Sequence, residues 1–362
     1  LKKILYKALL AVNIIFALTL LISYLAVHIS PETFAAPAFF GLAYPYLLLI
    51  NIIFVITWLA LLRWEALLSV LVIVLGLNHF SNYIQLSKPK GDKKGTFKVL
   101  SYNVRLFNYF ENKKDRNSEN QVFDFLKTRD ADIICLQEFY INDNPDIAIE
   151  RMKGLLGGEY YSHIKLLKSG KSRYYGIATF SRFPIVRKGD IVHPGSSSLT
   201  IYTDIVIQRD TFRVYNNHLQ SFRLKRMEKS FIEEITTPDD NQTIGEMKNL
   251  SVSLKTGFVR RAIQAQVLKE NIDRSPYPVI VLGDFNDTPV SYTYRKIRKG
   301  LHDSFVTSGY GAGFTYKGNY PPNRIDYILY DNNLVCTYFE IIKVGYSDHY
   351  PIIAYFRKTL KR

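Results

Sequence analysis

Hydrophobic positions along this chain follow two regimes. Up to about residue 87 they form long runs, from Ile4 to Val27, from Ala38 to Leu62 and from Ala66 to about Leu86. At about 1.5 Å per helical residue, runs of this length cross a hydrocarbon core of roughly 30 Å, so the pattern predicts three transmembrane helices over about 4–27, 38–62 and 66–86. The first run exceeds the apolar core of a signal peptide, roughly 7–15 residues. Arg63-Trp64-Glu65 joins the last two as a tight hairpin. A polar stretch with Pro89, Gly91 and Gly95 reads as a linker over 88–95, and residues 96–362 as a separate domain.

In that domain the runs shorten and alternate with helical patterns. Strands are predicted at Phe97–Tyr102, Asp132–Leu136, Gly176–Phe180, Leu199–Ile207, Phe212–Asn216, Val279–Leu282, Ile325–Tyr330, Val335–Ile342 and Ile352–Phe356, all rich in Val, Ile, Tyr or Phe. Ser118 with Gln121 reads as a capping box opening one helix, and Phe258 to Ile272 as another. Alternating strands and helices with hairpin-like neighbours predict an α/β fold with mixed sheets. The segment Ser221–Gly257 is a long insertion mixing Arg223, Lys225, Arg226 and Lys229 with aromatic and aliphatic residues; it reads as a lid, a membrane-contacting loop or a surface excursion.

Several of these apolar runs stop on a polar residue that binds hard metals or moves protons. In order these are Asn103 (VLSYNVR), Glu138 (IICLQE), His218 (VYNNHL), Asp284 and Asn286 (VIVLGDFN), Asp326 (RIDYIL) and Asp348-His349 (GYSDHYP). A polar group ending a buried strand sits at a sheet edge, where it can face a cleft. A turn aspartate or a capped strand end explains any one of them, but not the set. The economical reading is one metal-dependent hydrolytic site.

Charge adds a partner class. The net charge is +15, and 43 of the 47 lysines and arginines, against 30 of the 32 acids, lie beyond residue 87. A basic domain suits an anionic partner: nucleic acid, lipid headgroups or another phosphate ester. A solvated basic surface is the plain alternative. Lys2, Lys3 and Lys7 favour a cytoplasmic N-terminus, which with three spans puts the domain on the extracytoplasmic side of a multi-pass membrane protein. Lys88, Lys90, Lys93, Lys94 and Lys98 pull the other way. Cys135 and Cys336 lie in apolar runs and read as buried free thiols.

Phosphoester cleavage needs a cation, an activated water and donors for the phosphoryl oxygens. Glu138 suits Mg²⁺ or Mn²⁺, with Asn103 and Asp348 completing the metal shell. Asp284 can activate water, and Asn286 can orient it or the phosphate. His349 opposite Asp326, and His218, are the acid–base or phosphate-contacting imidazoles. Arg105 can clamp phosphate; a surface salt bridge explains it equally. The histidines at 28, 79, 163, 193 and 302 have no such context.

Taken together, SYNVR, LQE, YGIATFSRFPI, NNHL, GDFND, RIDYIL and SDHYP resemble the endonuclease/exonuclease/phosphatase superfamily, the DNase I-like fold, over about Thr96 to Phe356. The resemblance implies a four-layer sandwich of two packed mixed β-sheets flanked by helices, here in a bacterial membrane-anchored form in the inner membrane. It implies the roles above for Asn103, Glu138, His218, Asp284, Asn286, Asp326, Asp348 and His349. The GDFN turn continues as Thr288-Pro289, unlike abasic-site endonucleases, and Tyr175-Gly176 stands where secreted DNase-like enzymes place a glutamate. The expected activity is a membrane-anchored, divalent-metal-dependent phosphoesterase with no obligate protein partner. A lipid-headgroup phosphodiesterase and a catalytically silent phosphate-binding scaffold are the alternatives.

Overall fold

The computed structural model describes residues 2–87, 91–109, 118–193, 196, 198–222, 240–318 and 322–359. The chain divides into two compact units. One comprises Leu1–Tyr83, Phe222–Ala265 and Asp287–Lys296; the other comprises Ile84–Ser221, Gln266–Asn286 and Ile297–Arg362.

Among the described residues the second unit has fourteen strands: β1 (Ile84–Gln85), β2 (Phe97–Asn103), β3 (Ile133–Ile141), β4 (Tyr161–Lys168), β5 (Tyr174–Ser181), β6 (Ile185–Ile191) and β7 (Leu199–Ile207), then β8 (Asp210–His218), β9 (Val279–Asp284), β10 (His302–Asp303), β11 (Gly311–Ala312), β12 (Asp326–Tyr330), β13 (Leu334–Ile341) and β14 (Ile352–Lys358). Two six-stranded sheets form, in the orders β10-β12-β9-β8-β7-β6 and β13-β14-β2-β3-β5-β4. Each is antiparallel but for one parallel pair, β8 with β9 and β2 with β3. The sheets pack face to face, since Val99, Ile133 and Ala354 of one share a buried cluster with Val214, Ile280 and Ile328 of the other.

Strand alternation then sorts the layers. On β2, Phe97 and Val99 point between the sheets, while Leu100 and Tyr102 meet Val122, Phe123 and Leu126 of the helix Ser118–Arg129 and Met152 of the helix Pro145–Leu156. The other sheet is backed by the end of the helix Asp240–Asp273, where the Tyr215 hydroxyl donates to Asn271 Oδ1 at 2.9 Å. β4 and β6, absent from the sequence prediction, are the edge strands opposite β13 and β10. Exposed Arg187 and Lys188 dilute the apolar signal of β6.

In the first unit, α1 (Lys2–Leu25), α2 (Ala36–Leu42), α3 (Tyr44–Ala60) and α4 (Ala66–Leu75) replace the three spans predicted. One helix among the described residues, Lys3–Leu25, is long and apolar enough to cross a membrane. The second predicted span breaks between Leu42 and Tyr44 with a 66° bend, and Pro45 sits at the start of α3. The third ends at Leu75 after 10 residues, about 15 Å of helix. The expectation of three transmembrane helices, and the multi-pass membrane localisation with an extracytoplasmic domain drawn from it, is therefore corrected. Hydropathy counts apolar residues but does not see where proline or glycine interrupts a helix.

A buried polar chain ties these helices together. Trp58 Nε1 donates to Asn13 Oδ1 at 2.8 Å, Asn13 Nδ2 to Ser69 Oγ at 2.7 Å, and Ser69 Oγ to Asn51 Oδ1 at 3.0 Å. In the same unit Arg261 is fully buried, with its Nε donating to Asp287 Oδ2 at 3.0 Å and Phe222 and Phe258 rings beside its guanidinium. The cationic part of the insertion, 223–239, and residues 88–90 of the linker lie outside the described residues.

Candidate active site

Alternation aims a set of polar side chains into one end of the space between the sheets. Asn103 keeps the parity of Phe97 and Val99, His218 that of Phe212 and Val214, Asp284 that of Ile280 and Leu282, and Asp326 that of Ile328 and Tyr330. Adjacent strands bring them side by side, since Asp284 pairs in register with both Asp326 and His218. Gly283 allows this approach: its φ is +125°, and a Cβ there would meet the Asn217 carbonyl oxygen at 2.1 Å.

Glu138 breaks the rule. The strand does not end at this residue, as the sequence suggested, but continues to Ile141. By alternation Glu138 would follow Ile134 and Leu136 toward the helices. Instead the register with β5 shifts between Leu136 and Phe139, a bulge with Glu138 at φ +49°. Phe139 takes the helix-side position in the core, and the Glu138 carboxylate lies 3.5 Å from His218 Nε2. A left-handed non-glycine residue costs of order 1–3 kcal/mol, which the surroundings must offset.

Asp284 is the hub. Its Oδ2 accepts from Asn103 Nδ2 at 2.9 Å and from Asn286 Nδ2 at 3.2 Å, and its Oδ1 from the Asn286 backbone N–H at 2.8 Å. His218 Nε2 and His349 Nε2 each lie 3.8 Å from its Oδ2. His349 Nδ1 donates to Asp326 Oδ2 at 2.9 Å, while the Asp326 backbone N–H donates to Thr315 Oγ1. Arg105 Nε sits 3.2 Å from Asp348 Oδ2, and Asp348 Oδ1 is 4.0 Å from His349 Nε2. The structure thus joins Asn103, Arg105, Glu138, His218, Asp284, Asn286, Asp326, Asp348 and His349 in one contiguous network. Among the other described histidines, His163 bonds Thr203, His193 bonds Thr200, His302 bonds Asn332 and His79 stacks on Tyr24.

Electrostatics follow from this crowding. Burial, reinforced by Asp326, pushes the Asp284 carboxyl up to about 6 against the pull of the two histidines and Asn103. Burial opposes charge on His349, but Asp326 and Asp284 outweigh it and raise the imidazole to about 10. Asp284, Asp326 and His349 offer ligand atoms all within 4.8 Å of one another, and all three are buried. Two carboxylates at paired positions in a dry cleft repel, and a cation relieves them; His218 Nε2 also has no hydrogen-bond partner. This donor set, oxygens and imidazole, fits a divalent cation.

The sequence reading missed the groups that support these residues. Ser347 Oγ donates to the Asn103 carbonyl at 2.8 Å, and Gln137 and Asn216, each beside or near a selected residue, are fully buried between the sheets. The adjacent amides in NNHL and LQE were the available signal.

A fold of two facing sheets with a buried Asp–Asp–His cluster at one edge defines a metal-dependent hydrolase. Residues 100–349 match the Endonuclease/Exonuclease/phosphatase family, and the chain belongs to it. Residues 3–83 match a second family, described as a domain of unknown function (DUF8431). No curated protein matches the chain. Among solved structures, it is similar to an endonuclease/exonuclease/phosphatase family protein from Bacteroides thetaiotaomicron (TM-score 0.52, 18% identity, 76% of this chain and 100% of that one). It is also similar to the human Nocturnin catalytic domain, solved with a bound sulfate anion (TM-score 0.53, 16% identity, 75% and 100%). A family protein from Leptotrichia buccalis aligns comparably (TM-score 0.51, 17% identity, 72% and 99%). At these identities the likeness is one of fold.

Proposed function

We propose that the chain hydrolyses a phosphate ester by in-line attack of a water molecule that Asp284 deprotonates. The observation carrying this reading is the position of Asp284: buried, raised to about 6, and fixed by Asn103 and Asn286 opposite the His349–Asp326 pair. An acid with that pKa is mostly ionised near neutral pH yet still basic enough to take a proton. His349, kept protonated by Asp326, donates to a phosphoryl oxygen. His218 supplies a second donor from the Glu138 side, Asn286 orients the water, and Arg105 clamps the phosphate.

Glu138, with Asn103 and Asp348, would hold Mg²⁺ or Mn²⁺, which supplies Lewis-acid stabilisation of the developing phosphoryl charge. The spacing of Asp284, Asp326 and His349 favours a second arrangement, in which those three hold the cation.

The basic chain supports a polyanionic substrate such as nucleic acid. Exposed Ile4, Leu5, Ile15 and Leu18 on α1 support attachment to a lipid surface through that one helix, and with it a headgroup diester as the second substrate reading.

The test is hydrolysis by the full chain of single- and double-stranded DNA, RNA, phospholipid vesicles and phosphomonoesters, with Mg²⁺, Mn²⁺ or EDTA. Turnover of one class that is lost with EDTA, Asp284→Asn and His349→Ala supports the proposal and names the substrate. Metal and phosphate binding without turnover on any substrate replaces it with the silent-scaffold reading. Mn²⁺ affinity that falls with Asp326→Asn but not with Glu138→Gln selects the second metal arrangement.

A further inference from the structure

The bulge that turns Glu138 into the cleft leaves β3 and β5 out of register between the pairs Leu136–Ala178 and Phe139–Gly176. A break of this kind leaves backbone groups without ladder partners. A side chain from the opposite sheet fills it. Asn216, on β8, reaches across the interface and donates from Nδ2 to the Ala178 carbonyl at 2.9 Å, with the Leu136 carbonyl at 3.5 Å. Its Oδ1 accepts from Gln137 Nε2 at 2.7 Å, and Gln137 immediately precedes Glu138. Both amides are fully buried, and Thr179 and Ser101 stand at their outer ends.

We propose that Asn216 and Gln137 form an inter-sheet amide clasp that holds the β3 bulge and so aims the Glu138 carboxylate; both are positioning residues for Glu138. The reasoning is steric and electrostatic. Without Asn216 the Ala178 carbonyl loses this buried donor, and the relaxed alternative is a regular β3–β5 ladder. Regular pairing puts Glu138 on the helix face and Phe139 between the sheets, removing the carboxylate from the cleft. The clasp opposes that slip, because Asn216 Nδ2 holds the Ala178 and Leu136 carbonyls at one end of the bulge while its Oδ1 fixes Gln137, the residue before Glu138.

The inference rests on the reading of Glu138 as a cation ligand, and the experiment separates the two. The full chain is titrated with Mn²⁺ by electron paramagnetic resonance and assayed with bis(p-nitrophenyl) phosphate, alongside thermal melts. Asn216→Ala and Gln137→Ala are each expected to weaken Mn²⁺ binding about 10- to 100-fold, the range seen when partners of metal ligands are removed. Loss of kcat with KM within about threefold should accompany it. The double variant should be no worse than the weaker single one, since each removes the same clasp. The exchange Gln137→Asn with Asn216→Gln, which restores an amide pair, should recover part of the affinity.

Thr203→Val is the control. It deletes another inter-sheet bond, from His163 on β4 to Thr203 on β7, without touching the bulge, and should lower the melting temperature while leaving Mn²⁺ affinity within twofold. Where an alanine variant does not fold, Gln137→Met keeps the volume, loses the bond and takes its place. Melting that drops while Mn²⁺ affinity and kcat stay at wild-type values overturns the clasp. So does a Thr203→Val loss of affinity equal to that of Asn216→Ala. If Glu138→Gln itself leaves Mn²⁺ binding unchanged, the ligand reading fails and the clasp fails with it; if Glu138→Gln weakens binding and the amide variants do not, the clasp alone is wrong.

Discussion

Two kinds of buried charge lie a short stretch of chain apart in the sheet unit. Arg324 and Asp303 are fully buried and paired, Nη2 to Oδ2 at 2.7 Å, and Arg213 and Asp204 pair through both Nε and Nη2 at 2.7 and 2.8 Å. Each of these couples is one cation against one anion. The cleft is different: Asp284 and Asp326 are register partners, share His349, and leave His218 Nε2 without a hydrogen bond. Paired charges hold the fold; the cleft sets two carboxylates against the single His349 imidazolium, an excess of negative charge that a cation can relieve. The two regions should therefore respond in opposite directions to the loss of one charge.

The largest effect expected is on turnover. Asp284→Asn should lower kcat by about 10²–10⁴-fold, the usual contribution of a general base, while metal-free thermal stability stays equal or rises. A metal-free melt well below wild type would put Asp284 in the same class as the paired charges. Next, Asp303→Asn should lose about 3–5 kcal/mol of stability in a denaturant titration by removing the carboxylate charge that faces the buried Arg324 guanidinium, with kcat per folded molecule unchanged. Third, saturation with Mn²⁺ at about 100 times its Kd should add about 2.7 kcal/mol of stability to wild type and to the Asp303→Asn variant. The gain should shrink in Asp326→Asn under either metal arrangement, because the charge that the cation relieves is reduced.

The smallest effect is the pH dependence. The folded Asp284 carboxyl sits near about 6, above its value of about 4 in an unfolded chain, so the folded state binds the extra proton between those values. Its ionisation therefore destabilises metal-free protein above about pH 6, and that penalty is relieved as pH falls. Asp284→Asn, which imitates the neutral acid, should be more stable than wild type at pH 7.5. The gap should close between about pH 6 and 4, as read from paired melts across that range. A gap that widened on acidification would reverse the assignment.

How much of this was legible in the sequence depended on whether the cause was local. Asp284, Asp326 and His218 could be picked out because each keeps the parity of a short apolar strand, so the pattern of side chains already states which face they take. Glu138 was picked for a reason that the structure changes: it lies within β3, and its direction comes from a bulge braced by a residue on another sheet. No reading of IICLQEFYI alone contains Asn216. The helices failed for a related reason. Three apolar runs were visible, but the 66° break before Tyr44 and the stop at Leu75 depend on backbone geometry, which a hydropathy sum does not register. Edge strands such as β6, with one side chain in two facing solvent or an ion partner, gave too weak an alternation to be noticed.

Gly283 shows how a site can constrain its own evolution through what it lacks. A library of all twenty residues at this position should return glycine alone among active clones, although the position offers no functional group to substrate or metal. Any replacement has to fit a Cβ where the Asn217 carbonyl oxygen lies 2.1 Å away, at a φ that other residues rarely adopt. Directed evolution toward new substrates is therefore freer at the charged and amide positions around the cleft than at this bare point of backbone. The β8–β9 seam is fixed first, and the chemistry varies around it.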